Sequence, residues 1–323
     1  MRYILLLLCV CSASALANLQ STSMSHSDYL KQVRVQAQAA GIGSKGQQAL
    51  SQVKRFRSVS VNQAAEEVSS PESLDQYLAL EVDFNKVTRA RDYFNRREAL
   101  FHRIQQAYSV PGRFLVARWA LETDFGQGQG DFPALSVLVA KGAEEPQNEF
   151  WSKQILAALA LIDQGKVPLE RLRSNRHGQM GPLLMSPEQL LNYGVDFDED
   201  GKLDVWNSEA DAYATLANEL KQQGWQADRT WGRQVTLTAP VEPQHFNLGL
   251  LQSMTEWQQA GVRRWDGRDL PKVDDLSAGL LVPDGVEGRI YLAYPNYRLL
   301  MRSDSSHYQT LSIGYLADRI KFQ

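Results

Sequence analysis

The strongest constraint in this sequence is a helix with almost no side fit for water. From Arg113 the chain reads Phe114-Leu115-Val116-Ala117 and then Trp119-Ala120-Leu121, apolar nearly all round. A segment of that kind has to be enclosed by other elements, so it is an axis of the core. Val110-Pro111-Gly112 precedes it and Phe125-Gly126 closes it. Glu122 stands at its C-terminal end. A carboxyl group among apolar neighbours is penalised when ionised, and the negative end of the helix dipole adds to the penalty. Such a group can hold a proton near neutral pH, as a general acid for glycosidic cleavage must. A Glu at a helix end is nevertheless more often solvated or ion-paired. Asp124, two residues on, points elsewhere and reads as a loop or cap carboxylate.

Other segments supply the enclosure. Residues 26–40, 147–164 and 209–223 carry helical spacing, as does 72–107 with a break near Val82–Val87. A last helix places Leu311, Tyr315, Leu316 and Ile320 on one side. Gly41 and Gly224 are helix stops, and Ser208 followed by Asp211 resembles a capping box. Residues 234–238 alternate as a short strand, and 288–294 with 297–302 read as a hairpin across Pro295-Asn296. The fold class expected is α+β, mostly helical.

Lys plus Arg number 34 against 37 Asp plus Glu, a net charge of −3, which excludes a broad nucleic-acid footprint. The two cysteines, Cys9 and Cys11, lie in an N-terminal segment of distinct character. Arg2, the apolar run Ile4 to Val10, and Ala15-Leu16-Ala17 form a signal peptide over residues 1–17, cut before Asn18. Cys11, Ser12 and Ser14 interrupt the run, so it is too short and too polar to span a bilayer. Leu8 and Val10 precede the cysteines where a lipoprotein cut wants a small residue, which argues against lipidation. The region 18–323 then has no cysteine, and burial rather than disulfides must hold it. The expectation is a periplasmic, not membrane-spanning, protein. The five histidines show no metal-ligand spacing; His177 and His307 are the two closest to segments of interest below.

An acidic loop gives a second lead. Asp196-Phe197-Asp198-Glu199-Asp200-Gly201-Lys202-Leu203-Asp204 matches the first part of an EF-hand loop. Asp196, Asp198, Asp200 and Asp204 occupy positions 1, 3, 5 and 9, Gly201 the sharp turn, and Lys202 would offer its backbone carbonyl. Position 12 is Asn207, and Asp211 could supply the missing carboxylate. The expected ion is calcium in a structural role, with no organic cofactor; the other reading is an acidic surface turn.

Several ordered blocks carry a resemblance. One is Val110-Pro111 through Val116-Ala117-Arg118-Trp119-Ala120-Leu121-Glu122-Thr123-Asp124-Phe125-Gly126, followed by Gly130-Asp131-Phe132-Pro133. Others are Gly178-Gln179-Met180-Gly181 to Pro187 with Tyr193-Gly194-Val195-Asp196, then the acidic loop with Trp206, Asp211-Ala212 and Gly224-Trp225, then Asn296-Tyr297-Arg298 to Ile320. From roughly Tyr77 to Ile320 the chain resembles the lytic murein transglycosylase B family, which cuts peptidoglycan glycan strands. The resemblance implies a lysozyme-like core over about 80–230, the EF-hand-like loop at 196–211, and a C-terminal hairpin and helix at 288–320 closing the cleft. It implies Glu122 as the single catalytic acid and base, forming a 1,6-anhydro-MurNAc end from the MurNAc-GlcNAc bond. The implied substrate-contacting positions are Asn175, Met180, Leu184, Asp304, Ser306 and Tyr308. The implied partners are peptidoglycan strands and other cell-wall enzymes.

The sequence departs from the family pattern inside these blocks. Leu184 stands where the family has a sugar-binding Gln, Arg176 replaces an aromatic, and Ser303, Asp304 and Gln309 stand where the family has an aromatic, an Asn and a second aromatic. Two rival readings follow. One is a glycan-binding scaffold of the same fold with weakened catalysis, and the other is a muramidase that admits water.

Overall fold

The computed structural model describes residues 23–56, 71–273, 275–301 and 305–321. The signal-peptide segment, Arg302, Ser303 and Asp304 lie outside the described residues. The N-terminal half is built from α1 (His26–Ala39), α2 (Ser44–Ser51), α3 (Leu74–Glu81), α4 (Phe84–Arg96), α5 (Glu98–Tyr108) and α6 (Gly112–Thr123). A two-residue strand β1 (Phe132–Pro133) leads to α7 (Ala134–Glu144) and α8 (Glu149–Asp163). Strand β2 (Arg173–Ser174) pairs back on β1, and α9 (Pro187–Tyr193) and α10 (Glu209–Gln222) follow. The remainder is β3 (Gly232–Leu237), β4 (Gln252–Ser253), α11 (Met254–Gln259), β5 (Val262–Arg264), β6 (Ser277–Leu281), β7 (Ile290–Ala293), α12 (Pro295–Leu300) and α13 (His307–Lys321).

Caps set many of the boundaries. Ser25, Ser73, Asp83, Asn148, Ser186, Ser208 and Ser253 each accept a backbone N–H of the first turn that follows. α2 begins at Gly43, which has no side chain for the task. Asp163 at the end of α8 supplies it, accepting the N–H of Gly43 at 3.0 Å and of Gly46 at 3.1 Å. Those bonds hold the Asp163 carboxyl below its ordinary range.

The axis is α6, as the sequence requires. Phe114, Leu115, Val116, Ala117 and Ala120 are at most 1 % exposed. Helices α13, α4, α5 and α10 pack around it. Each large apolar side chain removed from water there contributes roughly 1.5–3 kcal/mol. One main core runs through these helices and continues under α1, α7, α8 and α10.

A five-stranded antiparallel sheet, ordered β4-β6-β7-β3-β5, forms a second layer. Strand alternation splits its two faces. Ile290 and Leu292 of β7, with Ala278 and Leu280 of β6, join Trp257 and Met254 of α11 in a smaller core. The intervening Tyr291, Ala293 and Leu281 join the main core. Trp231, just before β3, packs on α13 at Gly314, where a Cβ would lie 2.4 Å from the indole ring. Its Nε1 donates to Asp318 at 3.1 Å, and burial pushes the Asp318 carboxyl up.

The loop between β6 and β7 binds this sheet to the helices. The Asp284 carboxylate accepts the Leu74 N–H at 2.8 Å, at the start of α3, and the Tyr308 hydroxyl near the start of α13. That second bond pushes the Tyr308 hydroxyl up to about 12. Beside it, Arg289 pairs with Asp75 of α3 at 2.5 Å.

The helices expected from spacing form, with an additional break at Arg97, and α2, α7, α9, α11 and α12 form beside them. The hairpin expected over 288–302 does not. Residues 290–293 are a strand, but its partners are β6 and β3, and 295–300 are helical. Pro295 sits at the first position of α12, where its missing N–H costs nothing. The Pro-Asn pair that resembles a turn is a helix start.

Candidate active site

Glu122 is three residues into the last turn of α6 from Trp119, with its side chain 15 % exposed. It lines a cavity of about 240 Å³ together with Leu121, Tyr77 and Glu81 of α3, Gln179 and Leu184 of the 178–185 segment, Ser305, and Gln309, Ser312 and Ile313 of α13. Four parts of the chain far apart in sequence therefore meet at this one carboxyl group. Its surroundings differ from the apolar setting expected. Arg118, one turn earlier and only 4 % exposed, donates from Nε to Glu122 Oε1 at 3.0 Å.

The residue after Glu122 joins the two cleft-forming segments. The Thr123 hydroxyl lies 2.9 Å from the Trp119 carbonyl oxygen and 3.1 Å from that of Pro182, and it accepts the Gly126 N–H at 2.8 Å. The end of α6 is thus joined to the loop that carries Leu184. That loop is closed by reciprocal backbone bonds between Met180 and Met185, 2.7 and 2.8 Å long. Gly181 turns the chain at φ +66°, where a Cβ would lie 2.8 Å from the Val205 carbonyl oxygen. Leu184 itself takes φ +50°, a left-handed conformation costly for a residue with a Cβ, and reaches the cavity. Asp124 caps α6 at φ +44°, accepts from Gln127 at 2.9 Å and lies 3.6 Å from Arg89, the cap role expected of it.

The other expected contact positions are placed unevenly. Asn175 does not line the cavity. Its side-chain oxygen accepts the N–H of His177 and Gln179, and its amide donates to Gln179 Oε1 at 3.0 Å. It fixes Gln179, which does line the cavity. Met180 is 0 % exposed and belongs to the main core. Ser306 caps α13: its Oγ accepts the Gln309 N–H and its own N–H donates to Gln309 Oε1 at 2.9 Å. Tyr308 gives its hydroxyl to Asp284 and its ring edge to Tyr77, 5.5 Å away between centroids. Tyr77 is the ring that lines the cavity. His307 meets Tyr297 through Nδ1 at 3.1 Å, and His177 is exposed; neither lines the cavity.

Glu81, Gln179, Ser305 and Ser312 were not singled out by sequence reasoning. For Gln179 the signal was present, since it sits inside the Gly-Gln-Met-Gly block. The other three gather only through the packing of α3 and α13 on α6.

The acidic loop brings three of its six expected metal residues together. Oxygens of Asp196, Asp198 and Asp211 lie within 4.8 Å of one another. Gly201 at φ +84° turns the loop so that its N–H reaches Asp196 at 2.8 Å. Asp211 is fully buried, accepts the N–H of Phe197 at 2.8 Å and of Asp204 at 2.9 Å, and burial pushes its carboxyl up. Its N–H donates to Ser208 at 3.2 Å, but its carboxylate does not return to Ser208, so the expected capping box is half formed. Asp204 turns to Asn207 at 3.1 Å and Arg171 at 3.3 Å, and Asp200 accepts the Lys202 N–H at 2.9 Å. Neither joins the three. A donor set of clustered carboxylate oxygens, one of them buried, fits a hard divalent cation.

No helix among the described residues is long and apolar enough to cross a membrane. The chain is 26 % identical over 231 residues to membrane-bound lytic murein transglycosylase B of Escherichia coli (strain K12), covering 71 % of this chain and 62 % of that protein. It therefore spans somewhat under two thirds of that relative's length. Among solved structures it is similar to SltB3 of Pseudomonas aeruginosa in complex with NAG-NAM-pentapeptide, at 30 % identity and TM-score 0.81, covering 93 % of this chain and 80 % of SltB3. It also shares the fold of the Escherichia coli lytic transglycosylase Slt35 in complex with calcium, at 22 % identity and TM-score 0.73, covering 95 % and 97 %. The mostly helical, lysozyme-like fold expected from the sequence is the fold of these neighbours. The family described as Transglycosylase SLT domain matches residues 25–318, nearly the whole described chain, and the protein belongs to that family.

Proposed function

We propose that this protein is a lytic transglycosylase of peptidoglycan, with Glu122 as its single acid and base. The carrying observation is the position of Glu122, held at the end of the buried axis helix and lining a cavity with amide, hydroxyl and aromatic side chains. The reading is supported by SltB3, similar over most of this chain, which binds NAG-NAM-pentapeptide and NAG-anhNAM-pentapeptide. Glu122 gives a proton to the oxygen bridging MurNAc and GlcNAc as the bond to C1 breaks. It then takes the proton of the C6 hydroxyl as that oxygen bonds to C1, closing a 1,6-anhydro ring. Substrate assistance by the acetamido group removes the need for a second carboxylate. Gln179, Gln309, Ser305 and Ser312 can hydrogen-bond sugar hydroxyls, and Tyr77 offers a ring face.

A second reading has a specific observation behind it. Glu81 lines the same cavity as Glu122, and two carboxyl groups about a glycosidic bond are the arrangement of hydrolases that use water. Digestion of purified sacculi, followed by mass spectrometry, separates the readings. Anhydromuropeptides above a Glu122→Gln blank support the transglycosylase, and reducing ends support the muramidase. Binding without any product supports the scaffold.

Calcium at Asp196, Asp198 and Asp211 belongs to the same proposal, with the ion tying the loop to the start of α10 and taking no part in the reaction. Export to the periplasm by residues 1–17 is likewise proposed, and envelope fractions are where the processed chain is to be sought. The proposed partners are glycan strands and, in the envelope, other cell-wall enzymes.

A further inference from the structure

The pairing of Arg118 with Glu122 is not explained by stability. A buried ion pair replaced by apolar side chains of similar volume is often neutral or better for stability. The order is also the weaker one for helix support, with the cation preceding the acid by four residues. What the pair does provide is a fixed carboxyl group. The Arg118 side chain is 5 % exposed, so its guanidinium is held by the core, and its Nε lies 3.0 Å from Glu122 Oε1. Glu122 lines the cavity from the final turn of α6, and its side chain has three torsions to be set before the carboxyl group is aimed. A general acid has to present its proton within about 2.6–3.2 Å of the receiving atom.

We infer that Arg118 is a positioning residue for the cleavage step, aiming the Glu122 carboxyl group into the cleft and facing the charge that forms on it. The inference rests on the reading of Glu122 as acid and base. In the first half of the reaction the proton leaves Glu122 for the bridging oxygen, and the carboxylate left behind meets a guanidinium already in place, with no reorganisation. In the second half the same contact keeps the carboxylate aimed at the C6 hydroxyl. Arg118 is not among the residues that line the cavity, whereas Tyr77, Gln179 and Gln309 are.

The test is steady-state cleavage of purified glycan strands by the full chain and by Arg118→Met, Arg118→Lys and Glu122→Gln, with melting curves for each. Arg118→Met is expected to lower kcat on the order of 10- to 100-fold, the scale set by misplacing a reacting group, with KM unchanged. Arg118→Lys is expected to recover part of that loss. A merely structural role would instead lower the melting temperature and leave kcat per folded molecule alone. If Arg118→Met matches the unmodified chain in kcat while Glu122→Gln is inactive, the inference is overturned and the reading of Glu122 stands. If Glu122→Gln is itself fully active, the reading beneath falls and the inference with it. Should Arg118→Met not fold, Arg118→Gln serves the same comparison, and an undiminished kcat there overturns the inference equally.

Discussion

The cleft and the acidic loop both hold carboxylates partly out of water, and they compensate them differently. Glu122 faces a buried guanidinium on its own helix. Asp196, Asp198 and Asp211 crowd together, and their described partners are backbone N–H groups and the Ser208 hydroxyl. A positive side chain beside it suits the acid and base role proposed for Glu122. Three converging carboxylates with neutral donors suit a charge brought from outside. On the proposed functions, the difference separates a site for chemistry from a site for an ion, although both are acidic.

The comparison can be broken most directly at Glu122. Glu122→Gln is expected to lower glycan cleavage per folded molecule by about 10²–10⁴-fold, the range for a lost acid-base group. An active, stable variant would remove the cleft from the comparison. The loop comes next. Calcium at 100 times its dissociation constant should stabilise the fold by about 2.7 kcal/mol, read as a rise in melting temperature that chelation reverses. Asp196→Asn or Asp198→Asn should abolish that rise; equal melting with and without calcium would leave the loop an acidic turn. Thr123→Val comes third. It keeps the shape but leaves two carbonyls and the Gly126 N–H without their hydroxyl partner, a loss of about 1–3 kcal/mol. Activity should fall with it, because Leu184 is carried by the loop so released. The smallest effect is expected at Asp163→Asn. The Asp163 carboxyl lies below its ordinary value in the folded chain, so its contribution is complete above about pH 4 and is lost as pH falls through the lowered value. The variant should melt slightly lower than the unmodified chain at pH 7, and the two should converge in acid.

Much of this was legible in the sequence, for reasons that differ by element. The axis helix is read from its residues alone, because a segment as apolar as Phe114 to Ala120 has to be enclosed. Ser208 and Gly224 mark α10 through local bonds that need no tertiary context. Arg118 was also in plain view, four residues before Glu122, but spacing does not say which side of a helix is buried. Glu81 and Ser312 were not legible, because their meeting depends on how α3 and α13 cross α6. The hairpin over 288–302 failed because Pro-Asn serves a turn and a helix start equally well. The sheet segments between 241 and 287 are short and rich in loop residues, and their pairing is fixed by the smaller core around Trp257.

The Asp284 contact has a mechanical consequence. Its two oxygens are committed to α3 and to α13, which are also the two helices facing each other's residues around the Glu122 cavity. One side chain from the β6–β7 loop thus staples two walls of the cleft to the same point.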